Sequence, residues 1–263
     1  MPQAAAHLHW EAAGEGPPLL LIMGLGGSSL AWYRLLPHLR GSVRAIAFDN
    51  RGTGQSDRIR SRIGMADMAA DAVAVLDAAG VERAHVLGVS MGGMIAQHLA
   101  LGHPDRVRSL VLGCTTASAR GGLPSWRLLS AAALRRAAPQ LAFELVAPAL
   151  YSARTRREAP ERIREDVAMR LREATPPATV FAQMRAISGH DTRARLHELA
   201  GVPVTVVHGE QDALVPPARG RELARLIPGA RHAPIAGAGH VMLTDAEEAV
   251  VGVVHEHLAA AGA

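Results

Sequence analysis

The sequence predicts a doubly wound, mostly parallel α/β sheet with an inserted helical segment, on three observations. Short runs rich in Val, Ile and Leu alternate with longer helix-like segments, the pattern of buried parallel strands joined by crossover helices. That rhythm breaks between about Thr115 and His190, where Ala/Arg/Leu/Glu segments are punctuated by Pro124, Pro139, Pro148, Pro160 and Pro176-Pro177. Length agrees: 263 residues with 49% hydrophobic content suit one α/β core rather than tandem modules.

In chain order, strands are predicted at Leu19 to Met23, Val43 to Phe48, Ala84 to Gly88, Val107 to Gly113, Val204 to His208 and His232 to Ile235. Helices are predicted at Leu30 to Leu39, Ala66 to Ala79, Met91 to Leu101, Pro217 to Leu226 and Ala246 to Leu258. Residues 1–114 and 191–263 are expected to form the core, and residues 115–190 a helical cap (lid) over the strand carboxyl ends, where open α/β sheets place ligands. Leu128, Leu129, Leu134, Phe143, Leu145, Leu150, Met169, Phe181 and Met184 of the cap are candidates to line an apolar pocket or to fill helix cores.

Charge narrows the partners. All 28 basic residues are arginines, set against 24 acids. The densest stretch, Arg154 to Arg172, interleaves both signs at helical spacings such as Arg154/Glu158 and Asp166/Arg170. A solvated helix face fits that mixture, and a nucleic-acid surface of one sign does not. The start lacks an export signal, and no apolar run approaches the ~18 residues of a membrane span, so a cytoplasmic monomer or homodimer with no membrane contact is expected. Cys114 is the single cysteine, which excludes an internal disulfide and a cysteine-built zinc site; a small buried apolar role suits it.

One segment carries chemistry outright. Gly88-Val89-Ser90-Met91-Gly92 joins a predicted strand to a predicted helix with a serine at the corner. A turn that sharp closes only if the residues two before and two after Ser90 lack side chains, and it lifts the hydroxyl into the cleft ahead of the helix N-terminus. A serine hydroxyl needs a base to take its proton and an acid to orient that base. Asp212, on the loop after Val204 to His208, is the acid of choice, with Glu210 as competitor nearer the strand end. His240, on the glycine-rich loop before the last helix, is the base: of 13 histidines it alone combines a loop position with the order Ser, Asp, His. His85, His98, His103, His255 and His257 read as structural or surface residues. The Met91 N–H should supply one donor to a developing oxyanion, and the Leu25 N–H, from Met23-Gly24-Leu25-Gly26-Gly27-Ser28, the second.

These motifs resemble the α/β-hydrolase superfamily over nearly the whole chain except the cap. Asp49-Asn50-Arg51-Gly52-Thr53-Gly54-Gln55-Ser56-Asp57 is similar to a structural loop of its esterase and lactonase branches, and Trp32 and Leu36 to its packing positions. The resemblance implies an eight-stranded sheet and hydrolysis of a carboxylic ester or lactone through an acyl-enzyme on Ser90, with a small-molecule ester, lactone or thioester as the partner and no metal or organic cofactor. An aspartate stands at position 90 in the superfamily's epoxide hydrolases and haloalkane dehalogenases, so Ser90 disfavours those reactions. Two departures stand out: the oxyanion loop begins Met23-Gly24 where the family commonly has His-Gly, and the segment after His240 lacks the common Glu-x-Pro. The same site also suits an acyl transferase, thioesterase, perhydrolase or cyclase of a natural-product pathway. A ligand-binding protein that retains the fold is the alternative outside enzymes.

Overall fold

The computed structural model describes residues 7–120 and 138–262. Seven strands form one sheet: β1 (Trp10–Ala13), β2 (Pro18–Ile22), β3 (Arg44–Phe48), β4 (Ala84–Val89), β5 (Val107–Gly113), β6 (Val204–Gly209) and β7 (Arg231–Ile235). Their spatial order is β1-β3-β2-β4-β5-β6-β7, and only β1 runs antiparallel. The six strands predicted from apolar runs are all present. β1 was not predicted, because its sequence Trp-Glu-Ala-Ala lies half-exposed to exposed at the sheet edge and carries no apolar run. The described residues therefore hold seven strands, where the family resemblance implied eight.

Alternation along each strand sorts the core into two layers. Leu20 and Ile22 of β2 and Ile46 and Phe48 of β3 face α2 (Met65–Ala78), α3 (Met91–Gly102) and, further along the sheet, α8 (Pro217–Leu226). Leu19, Leu21, Ala45 and Ala47 face the other way, toward α1 (Leu36–Leu39) and α10 (Glu247–Ala260). The helix predicted over Leu30 to Leu39 is broken into a 3-10 turn at Ser29–Trp32 and the short α1. Pro37 has no amide hydrogen, so a helix can begin there but not run through it, while Trp32 and Leu35 are driven wholly into the core.

Between β5 and β6 the chain forms α4 (Pro139–Leu150), α5 (Ala153–Glu158), α6 (Pro160–Arg172) and α7 (Pro177–Ser188). Its mixed-sign surface is partly as predicted: Arg154 Nε donates to Glu158 Oε2 at 3.1 Å. Asp166 departs from the expected exposed pair with Arg170. It is buried, accepts from the Tyr33 hydroxyl at 2.5 Å and from the Thr244 hydroxyl, and ties the insert to the core. After β7, α9 (Met242–Asp245) leads into α10. No described helix is long and apolar enough to cross a membrane.

Two polar groups are embedded in this frame. His257 of α10 lies between the Thr205 hydroxyl at 2.9 Å and the Ser109 hydroxyl at 2.8 Å. His190, where the insert rejoins the core, donates from Nε2 to the Thr116 carbonyl at 3.0 Å, with Nδ1 3.3 Å from His98 Nε2. Burial pushes both imidazoles down to about 4, from 6.5 when exposed. The unfolded chain therefore takes up protons first, so the stability these groups confer is present above pH 6.5 and lost as pH falls toward 4. The loss is on the order of 3 kcal/mol per histidine. Thermal unfolding followed by circular dichroism across that pH window should show a steep fall in Tm, reduced in a His257→Gln variant; a Tm independent of pH there would refute the assignment.

Candidate active site

The carboxyl ends of β2, β4, β5 and β6 end level with one another, with Ile22 beside Gly88, Val89 beside Gly113, and Gly113 beside Val207. Every candidate residue leaves the sheet from that edge. Ser90 sits between β4 and α3 at φ 56 and ψ −120, a conformation that costs a residue with a side chain roughly 1–3 kcal/mol. The turn is held on both sides: Ser90 N–H donates to the Gly113 carbonyl at 2.8 Å, and the Thr115 hydroxyl donates to the Ser90 carbonyl at 2.8 Å. The flanking glycines are steric necessities. A Cβ at Gly88 would collide with the Gly92 carbonyl, and one at Gly92 with the carbonyl of Ile22.

His240 reaches Ser90 from the loop after β7. Its Nε2 lies 3.1 Å from Ser90 Oγ, and its Nδ1 lies 2.7 Å from Asp212 Oδ2. The structure thus brings together the serine, histidine and aspartate singled out in the sequence. Glu210 is exposed, whereas Asp212 is buried. Asp212 Oδ1 accepts the amides of Leu214 at 2.9 Å and Val215 at 2.8 Å, as the turn after β6 folds back on its own carboxylate. Burial alone would raise this carboxyl, but the neighbouring His240 imidazole, hydrogen bonds from His208 and His240 and the Val215 amide together hold it well below the usual carboxylate range. With Asp212 ionised, the His240 Nδ1–H is the donor, leaving Nε2 to accept from the serine hydroxyl.

Leu25 lies in the cavity wall beside Gly24, and a Cβ at Gly24 would stand 3.1 Å from that of Ser90. Met91 opens α3 directly after Ser90. The Asp49–Asp57 loop is structural, as the resemblance implied: Asp49 accepts the Ser29 amide at 2.7 Å and the Gln55 amide at 2.9 Å, and Asn50 Nδ2 donates to the Met23 carbonyl at 2.8 Å.

Two supporting residues escaped the sequence reading. His208, buried at the end of β6, places Nε2 2.9 Å from the Val215 carbonyl and 3.3 Å from Asp212 Oδ2. Asp245 of α9 accepts the amides of Gly239 at 2.7 Å and Ser152 at 3.0 Å, fixing the His240 loop to the insert. His208 reads as the last member of an apolar strand and Asp245 as one acid among several, so neither carries a signal in spacing. Cys114, His208 and Asp212 bring potential ligand atoms within 4.8 Å of one another. The Asp212 oxygens are already engaged by two amides and two imidazoles, and burial pushes the Cys114 thiol well up, so the trio is built as a hydrogen-bonded support rather than a metal centre.

A cavity of about 710 Å³ opens over Ser90 and His240, walled mainly by aliphatic side chains. Leu150, Met169 and Met184 line it as the sequence suggested. Phe181 is 48% exposed and Leu145 does not line it. Leu128, Leu129, Leu134 and the Phe143 side chain lie outside the described residues.

A family model described as the alpha/beta hydrolase fold matches residues 17–247. The chain belongs to that family. A relative from Azorhizobium caulinodans named "Putative carbamate hydrolase RutD" is 34% identical over 235 residues, covering 89% of this chain and 88% of its own. Among solved structures, a thermophilic esterase from Thermogutta terrifontis is 29% identical with a TM-score of 0.88, over 100% of this chain and 97% of its own. The enol-lactonase from Burkholderia xenovorans LB400 is 26% identical with a TM-score of 0.86, over 97% of each chain.

The contact between Gly92 and Ile22 yields a direct test. Gly92→Ala should destabilise the protein by about 1–3 kcal/mol through overpacking, read as a lowered midpoint in urea unfolding; an unchanged midpoint would contradict the packing described.

Proposed function

We propose that the protein hydrolyses carboxylic esters or lactones through an acyl-enzyme on Ser90. One observation carries the reading: a continuous hydrogen-bonded chain from Asp212 through His240 to Ser90, opening into an apolar cavity. The names of similar proteins, esterase, enol-lactonase and carbamate hydrolase, all describe hydrolytic attack on an acyl carbon and support it.

In this reading Ser90 Oγ attacks the substrate carbonyl as His240 Nε2 takes its proton, and Asp212 stabilises the imidazolium. The oxygen that becomes negative is received by the Leu25 and Met91 amides, the latter at the positive end of α3. His240 then returns the proton to the leaving alcohol, and the same imidazole draws a proton from the water that releases the acid. Every step uses this chain's own groups. The described helices α4, α6 and α7 act as a cap over the cavity, and the aliphatic wall favours aliphatic acyl groups over aromatic ones.

Ser90→Ala should lower kcat/KM on p-nitrophenyl butyrate by at least about 10³-fold with Tm nearly unchanged, and Asp212→Asn by about 10²- to 10⁴-fold. Turnover at the wild-type rate by a folded Ser90→Ala variant would overturn the proposal.

A further inference from the structure

The oxyanion loop Gly24-Leu25-Gly26-Gly27 has almost no conformational preference of its own, since three of its four residues are glycine. It forms a tight turn in which the Gly27 amide donates to the Gly24 carbonyl at 3.1 Å and Gly26 takes φ +63. The Gly24 carbonyl and the Leu25 N–H share one trans peptide plane, so whatever fixes this turn also fixes the direction of the Leu25 N–H. A glycine at the third position lets the Leu25–Gly26 peptide flip at little cost. Something outside the loop must prevent that.

Two buried side chains of the inserted segment do so. Gln183 of α7 accepts the Gly26 amide at 2.9 Å, and the Thr175 hydroxyl donates to the Gly26 carbonyl at 2.9 Å. Both neighbouring peptides of the turn are thereby gripped from the cap side. Gln183 is wholly buried, and its Nε2 also reaches the Arg51 carbonyl at 3.4 Å, tying α7 to the neighbouring structural loop. The Gly26 N–H is thus committed to Gln183, which leaves the Leu25 N–H as the donor for substrate. Met23 stands where a histidine commonly begins this loop, and it offers no side-chain donor to brace it.

We propose that Thr175 and Gln183 are positioning residues for the oxyanion-binding Leu25 amide, so that the oxyanion site is complete only while the cap is docked. This rests on the acyl-enzyme reading above. A substrate that fills the cavity and seats the cap would, by the same contacts, align the donor that its own tetrahedral intermediate needs.

The test compares Thr175→Val, which keeps the shape and removes the hydroxyl, with Thr175→Ser, which keeps the hydroxyl, and adds Gln183→Met. Measured are kcat and KM on p-nitrophenyl butyrate, Ki for butylboronic acid, whose tetrahedral adduct on serine carries the oxyanion, and Tm. Thr175→Val and Gln183→Met should each lower kcat about tenfold and raise the boronic acid Ki by a similar factor with KM within about twofold, a smaller loss than removing a donor outright. Thr175→Ser should restore both values. Wild-type kcat and Ki in Thr175→Val would overturn the proposal, as would a fall in kcat with unchanged boronic acid affinity. Should Gln183→Met fail to fold, the two Thr175 variants decide alone. A fluorophosphonate with mass-spectrometric mapping separates this from the parent reading: an unlabelled Ser90 in the wild type sinks the acyl-enzyme itself, whereas normal labelling beside wild-type kinetics in Thr175→Val sinks only the role of the cap.

Discussion

The structure depends above all on how closely the start of α3 approaches the end of β2. Gly92 rests against the carbonyl of Ile22, and Gly88 against that of Gly92, with no room for a methyl group at either position. That contact compresses the β4-to-α3 turn until Ser90 is forced to positive φ, and it brings the loop after β2 alongside the same serine. The strain is offset by the sheet on one side and by the hydrogen bonds of Gly113 and Thr115 on the other. Relaxing the approach would move the serine away from the glycine-rich loop after β2.

Electrostatics complete what packing begins. Asp212 is buried, yet two amides and two imidazoles surround it, so the ionised form is favoured despite the loss of water. An ionised Asp212 selects one tautomer of His240 and turns its other nitrogen toward Ser90. Histidine 208 serves this arrangement from behind, and Asp245 holds the loop that delivers His240. Hydrogen bonds and close polar contacts thus link Ser90, His240, Asp212 and His208 in one connected set drawn from the ends of β4, β6 and β7.

The insert lines the cavity and is also tied to the core on several sides of it. Asp166 binds it to the Tyr33 and Thr244 hydroxyls, Asp245 joins the Ser152 amide to the His240 loop, and Gln183 and Thr175 hold the Gly26 peptides. Contacts with the insert thus reach both the loop that carries His240 and the glycine-rich loop after β2.

The sequence by itself determined what short-range rules encode. Apolar runs marked six of the seven strands, and the steric demand of a strand-to-helix turn marked Gly88, Ser90 and Gly92. Chain order and loop position singled out Asp212 and His240, which meet Ser90 in one hydrogen-bonded chain. Only the tertiary structure decided which solitary polar residues matter. Pairing that links residues 26 with 183, 166 with 244, or 152 with 245 leaves no trace in local periodicity, because each partner is ordinary in its own segment. The edge strand β1 was hidden for a related reason: half-exposed and short, it owes its conformation to backbone bonds with β3 rather than to burial of its own side chains. Burial and long-range hydrogen bonding are properties of the assembled chain, and they turned Asp166 from an expected surface charge into the post that anchors the insert.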